Sequence, residues 1–247
     1  MENKFTQAVH EELLELMKEI HDFLTNNGIK YSLAYGSLLG AVRHNGFIPW
    51  DDDIDLMMDR ENLNKLLELT KDGEKNFVIE RDLWIHRIRR RKETKASAYV
   101  PTMDIFVMDN VPDEKFARKS KIFKLKILQG MLKPSADVRK TYSCFYRVCM
   151  GITRLFGKFF TYNFKFNKYH KTMQKGNKKQ TARVACFNAS FRSLSVFFNS
   201  GLLDQLSLHD FAGEKFYIID RYDEYLTAVY GDYMTPPKES ERVPQHL

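Results

Sequence analysis

The chain has no apolar run approaching the ~18 residues that a membrane-crossing helix requires, so no spanning segment is expected. Its opening residues, MENKFTQAVHEELLELMKEI, carry glutamate throughout and lack the apolar stretch of a secretory leader. Cysteine is scarce. Cys144, Cys149 and Cys186 are odd in number and match no zinc-binding spacing; they read as reduced core thiols, and the expected compartment is the cytoplasm. No internal repeat and no low-complexity tract appears. Acid is almost missing from one long stretch: between Lys115 and Arg183 there are 19 lysines and arginines against a single acid, Asp137. Outside that stretch the balance reverses, to 20 basic and 31 acidic residues, which implies two regions with different electrostatic partners.

What is present suits a folded protein. A chain of 247 residues, 43% hydrophobic and 29% charged, can bury an ordinary core as one large domain or two small ones. Phe5, Val9, Leu13, Leu16, Ile20 and Phe23 recur every three or four residues, which predicts a one-faced helix stopped at Gly28. KYSLAYG reads as a short strand, SLLGAVRH as a short helix with Ser37 near its N-cap, and DIDLMM as a strand. RENLNKLLELTKDG predicts a helix, and NFVIERD, LWIHRIRRR and TMDIFVMD three further strands. From Pro112 the pattern turns mostly helical, and FAGEKFYIIDRYDEYLTAVYGDYMTPP returns to a strand, a helix and a Pro-Pro stop. The expected class is α+β: a mixed sheet with helices over residues 1–111, then a basic, mostly helical region over 112–247.

Five aspartates, Asp51, Asp52, Asp53, Asp55 and Asp59, fall within nine positions. Charge that dense is either a solvated acidic loop or a cation site. Alternation along a strand puts Asp53 and Asp55 on one face, where carboxylates can hold hard divalent ions, Mg²⁺ or Mn²⁺. Asp104, flanked by apolar residues in TMDIFVMD, is the natural third acid; Asp109, near the following turn, is the weaker candidate. The Gly36-Ser37 turn between strand and helix offers N–H groups and a hydroxyl to a phosphate. A phosphate cradle, a metal dyad and a third carboxylate able to take a hydroxyl proton are the parts of phosphoryl transfer. Arg43 suits donor phosphates and His44 a nucleotide or acceptor contact; as a pair they could equally cap a helix end. Trp50 could stack on a base, face a quaternary ammonium, or pack under Pro49. HRIRRR (His86–Arg91) fits a solvated edge strand or a face leaning toward a pyrophosphate.

The stretch GSLLGAVRHNGFIPWDDDIDLMM closely resembles the signature of the LicD family, which includes fukutin-like proteins. The likeness extends to PTMDIFVMDNVP and to DEYLTAVYGDYMTPP with Arg242 and His246 beyond it. It implies a nucleotidyltransferase-type core at 1–111 that moves a phospho-alcohol from a CDP-activated donor to a sugar hydroxyl. CDP-choline is the expected donor, CMP the leaving product, and a lipid-linked or soluble teichoic acid or polysaccharide precursor the acceptor. In that reading Asp53, Asp55 and Asp104 serve metal and catalysis, Gly36, Ser37, Arg43, His44 and Trp50 bind the donor, and YGDYM, physically a helix C-cap and turn, closes over the site. Tyr35, Trp50, Trp84 and Tyr99 are the aromatic candidates for an ammonium group. Alternatives are ribitol or glycerol phosphate transfer, a nucleotidyltransferase acting on a small molecule, and an inactive relic serving as a basic binding module. Residues 144–169 mix nine aromatics with Arg147, Arg154, Lys158, Lys165 and Lys168. They fit a solvated helical subdomain or peripheral contact with the inner face of the membrane; nucleic acid is not the expected partner.

Overall fold

The computed structural model describes residues 4–73, 75–91, 100–133 and 144–242. It is an α+β protein in two compact units: Met1–Met108 with Gly201–Leu247, and Asp109–Ser200. The first unit is therefore discontinuous in sequence, where sequence reading placed one boundary near residue 111.

The first unit is built on α1 (Lys4–Asn26), whose Val9, Leu13, Leu16, Met17, Ile20 and Leu24 are fully buried. It ends at Gly28, whose φ of 60° is the left-handed conformation that glycine adopts at little cost. Next come β1 (Ser32–Leu33), α2 (Tyr35–His44), β2 (Ile54–Asp59) and α3 (Arg60–Leu69). Asp59 caps α3, its carboxylate accepting from the Asn62 N–H. A hairpin of β3 (Phe77–Asp82) and β4 (Ile85–Arg90) precedes β5 (Thr102–Val111).

The strand order is β1-β2-β5-β4-β3. β2 and β5 pair in parallel, whereas β1–β2, β5–β4 and β4–β3 are antiparallel. β4 thus lies between two strands and is not the edge strand that HRIRRR suggested; β3 takes that place. β2 reads IDLMMD and its first five residues are all buried, as expected of a strand covered on both faces.

The returning segment supplies β8 (Leu206–Phe211) and β9 (Glu214–Ile219), joined through Ala212 and Gly213, both at positive φ. Only the second of these strands was visible in the sequence. Ile219 N–H donates to Ser32 Oγ at 3.0 Å, tying the hairpin to β1. α7 (Tyr222–Tyr230) follows, capped by Gly231 at φ 74°.

The second unit packs α5 (Cys144–Gly157) and α6 (Tyr162–Gln174) on α4 (Lys115–Leu132), with short strands β6 (Arg183–Cys186) and β7 (Phe198–Asn199). Several of its buried polar groups are answered internally. Gln129 donates to Tyr169 Oη at 2.8 Å and to the Ala189 carbonyl at 2.9 Å, and the Tyr169 hydroxyl donates to the Phe187 carbonyl. Lys121 is buried with its ammonium on the Asn110 and Lys175 carbonyls, both at 2.9 Å, and over the Phe187 ring. Asp109 accepts from Asn177 here. Cys186 is a buried thiol; the Cys144 and Cys149 side chains lie outside the described set.

Candidate active site

The site grows from the first turn of α2. Ala34 is extended and Tyr35 has φ 37°, a conformation that costs a non-glycine residue about 1–3 kcal/mol. That kink turns the chain back onto β2, and three bonds result. Ala34 N–H donates to the Asp55 carbonyl at 2.8 Å, Gly36 N–H to Asp55 Oδ2 at 3.0 Å, and Asp55 N–H to Ser37 Oγ at 2.9 Å. Ser37 is therefore not the N-cap that its position suggested. Ala34 holds that position, and the serine hydroxyl is spent on orienting Asp55. A little further on, a Cβ on Gly40 would collide with the Gly46 carbonyl, which explains a glycine where the return loop crosses the helix.

The acids converge on this turn. Asp51, Asp52 and Asp53 each offer a carboxylate oxygen within 4.8 Å of the others. Asp53 sits in the bend before β2, so it reaches Asp55's neighbourhood from the loop and not by strand alternation. Asp104 stands directly opposite Asp55 in the parallel β2–β5 register, at the ~4.8 Å spacing of paired strands. Both are buried. Burial first, then the charges of Asp53, Asp51 and Asp104, push the Asp55 carboxyl well above the ordinary carboxylate range, against the Gly36 hydrogen bond. Such a set of hard oxygen donors, repelling one another until a cation joins them, fits a divalent ion of the Mg²⁺ type.

A Cβ on Gly36 would strike Asp51 Oδ2 and lie 3.6 Å from Asp55 Oδ2. Gly36→Ala should accordingly keep the fold and, if the acids serve turnover, lower it by about 10-fold or more, by pushing the Asp51 carboxylate aside. An unchanged rate with an unchanged melting temperature would show that this approach has no functional weight.

Sequence reading missed the partner of Asp104. Arg87, on β4 opposite it in register, donates Nε to Asp104 Oδ1 at 2.7 Å, sets a second nitrogen 3.4 Å from Oδ2, and reaches Asp82 with a third. Burial works against its charge, but the bond to Asp104 and the nearby acids outweigh it and raise its pKa. The other arginines of the strand are also engaged: Arg89 with Glu80, and Arg90 with Glu19 and Glu15. Arg87, Arg89 and Arg90, from both faces of the strand, are thus held in ion pairs.

A cationic corner stands beside the acids. Arg43, in the last turn of α2, donates to the Tyr233 carbonyl at 2.7 Å, and its Nε lies 3.4 Å from His44 Nδ1. Burial lowers its pKa, as does Arg242, against the nearby Tyr230. His44 is lowered by burial and by Arg43. The Arg242 guanidinium lies 5.3 Å from the Trp50 ring centroid, and His44 meets the same ring edge-on at 6.5 Å. Trp50 thus already carries a cation on its face. Tyr230 has its pKa raised, by burial first and then by Asp55, Asp51 and Asp53, though at 44% exposure solvent tempers the shift. YGDYM supplies the C-cap at Gly231, and its Tyr233 carbonyl accepts from Arg43. The signal that could have found Tyr233 was weak, since its carbonyl does the work. Of the other aromatic candidates, Tyr35 packs on Phe106 and Tyr225, and Trp84 is buried. Tyr99 and His246 lie outside the described residues.

Residues 28–126 match the nucleotidyltransferase domain described as LicD/FKTN/FKRP. The chain is 26% identical over 259 aligned positions to the lipopolysaccharide cholinephosphotransferase LicD of Haemophilus influenzae, covering 95% of this chain and 93% of that one. It is 38% identical over 68 residues to the mouse ribitol 5-phosphate transferase FKRP, 28% of this chain and 14% of the relative. An uncharacterized Rickettsia prowazekii protein shares 59% identity over 44 residues, 18% of this chain and 16% of that protein.

Proposed function

We propose, from the match of residues 28–126 to the LicD/FKTN/FKRP nucleotidyltransferase domain and the near-full-length likeness to a LicD protein, that the chain is a phospho-alcohol transferase moving phosphocholine from CDP-choline to a sugar hydroxyl of a surface-glycan precursor. One observation carries the reading: the Asp51–Asp53 loop, Asp55 and the Asp55–Asp104 register all meet at the Gly36 turn. Near-full-length similarity to a cholinephosphotransferase favours choline. The shorter likeness to a ribitol 5-phosphate transferase favours a polyol phosphate as the second reading.

In this mechanism the sugar oxygen attacks the phosphorus that bears choline, the bond from that phosphorus to the bridging oxygen breaks, and CMP departs with the electron pair. Asp51, Asp53 and Asp55 would hold Mg²⁺ or Mn²⁺, which supplies neutralisation of the diphosphate charge when bound. Arg43, fixed by the Tyr233 carbonyl, keeps further guanidinium donors for the donor's phosphates. Ser37 fixes Asp55, and Trp50 with His44 borders the donor. We assign the sugar proton to Asp104 Oδ2, the oxygen more weakly held by Arg87.

The test is CMP release from a panel of CDP-alcohols with a glycan acceptor, with and without Mg²⁺. CDP-choline should give the fastest release and the largest rise in melting temperature, and excess EDTA should stop turnover. Full turnover in EDTA would sink the metal assignment, and preference for CDP-ribitol would select the second reading.

A further inference from the structure

Helix α5 shows its apolar face to solvent. Val148, Ile152, Leu155 and Phe156 follow the i, i+4, i+7, i+8 spacing of a single helix face, and each is more than half exposed. The face continues past the helix end: Phe159 is 80% exposed in the turn that follows, and Phe164 52% exposed at the start of α6. A folded unit normally turns such a stripe inward, and a contiguous patch of this kind marks a contact surface. The opposite side of the turn is firmly built. A Cβ on Gly157 would meet Met131 atoms at 3.0–3.1 Å, and Lys165 Nζ donates to the Met131 and Gly157 carbonyls, at 3.3 and 3.1 Å, tying the ends of α4 and α5. Phe156 and Phe159, and Phe160 and Phe164, pack ring to ring. The exposed stripe is therefore presented by a supported turn.

Charge selects the occupant. Among the described residues of this unit, Lys158, Lys168 and Lys171 are exposed around the stripe, within a stretch whose sequence has 19 cations and one acid. We propose that the α5–α6 turn docks on an anionic lipid bilayer, with the apolar stripe entering the acyl boundary and the lysines among the phosphate headgroups. The chemistry is that of an interfacial helix: an apolar face set in a cationic surround, partitioning by burial of the first and attraction of the second. No described helix is long and apolar enough to cross a membrane, so contact is at the surface. RNA fits the stripe less well. Bases stack on aromatic rings, and Val148, Ile152 and Leu155 give them nothing to stack on. A second copy of the chain would bring the same cationic surface against itself.

The experiment is sedimentation of the purified full chain with vesicles of phosphatidylglycerol and phosphatidylcholine, and with phosphatidylcholine vesicles alone. Binding is expected to the anionic vesicles at low salt, weakening as salt screens the lysines. The pair Phe156→Ser and Phe159→Ser should reduce partitioning about 10-fold or more. Lys158→Glu with Lys168→Glu should do so comparably; Lys165 is left alone because it holds the turn together. Phe159→Trp adds a second readout that keeps the native apolar character. Its fluorescence should be quenched by brominated acyl chains beyond the background from Trp50 and Trp84. Equal binding to neutral vesicles, binding unmoved by both variant pairs, or no added quenching of the tryptophan would overturn the proposal. So would a concentration-dependent dimer, or poly(U) binding without vesicle binding, abolished by the serine pair.

Discussion

Asp55→Asn is expected to cut transfer by roughly 100-fold or more and, at the same time, to raise the melting temperature of the metal-free protein at neutral pH. The rate loss follows from removing a charge at the centre of the proposed metal site, since even outer-shell partners of a metal are worth about 10–100-fold. The stability gain follows from the sign of the pKa shift. Burial and three neighbouring acids hold the folded Asp55 carboxyl above its ordinary value of 3.8. A group raised in this way favours the fold below its unfolded pKa and loses that contribution as pH rises through the folded value. Ionising the carboxyl in the folded state therefore opposes folding, and asparagine avoids that charge while its amide oxygen can still accept from Gly36 N–H. Mg²⁺ should raise the melting temperature of the parent protein and do little for the variant. Near-parental turnover at saturating Mg²⁺, or a lower metal-free melting temperature, would count against Asp55 as the central ligand.

The second large effect belongs to the Arg87–Asp104 pair. Arg87→Met takes the guanidinium from a carboxylate only 7% exposed, directly opposite Asp55. Breaking a fully buried pair from one side costs about 3–5 kcal/mol. Arg87 itself is 29% exposed, so about 2–3 kcal/mol is the expected loss in urea unfolding. Asp104→Asn should be milder for stability and slow CMP release by about 100-fold, with donor binding kept. The double variant should regain much of the stability lost by Arg87→Met, because the stranded charge is gone, but none of the rate. Stability losses that simply add would mean that the two side chains do not act as a pair.

Most of the elements around this site were legible in the sequence because each rests on a local pattern: the buried stripe of α1, the apolar run of β2, the breaks at Gly28 and Gly73. β8 was not. Its LSLHDF has mostly exposed side chains and owes its conformation to pairing with β9 through a positive-φ turn. The acids were legible as residue types, but their grouping depends on pairing. Asp104 meets Asp55 only because β5 lies beside β2 while the β3–β4 hairpin is set to its other side. Arg87 stood out as one of five near-equivalent basic residues, and nothing local marked it as the one in register with Asp104. The Tyr233 carbonyl that holds Arg43 is backbone, which no residue-type argument can single out.

The split of the first unit across the chain has a consequence for the order of its making. Asp51–Asp55, Asp104 and Arg43 all leave the ribosome before the second unit, whereas the carbonyl that fixes Arg43 comes 190 positions after it. At roughly 5–20 residues per second, about 10–40 seconds of translation separate the two. Through that interval the nascent chain displays a dense acidic loop and a β1 strand whose Ser32 hydroxyl still awaits Ile219. The fixed arginine arrives late, with the Tyr233 segment, so a product of synthesis interrupted before it would carry the acids without that arginine held beside them.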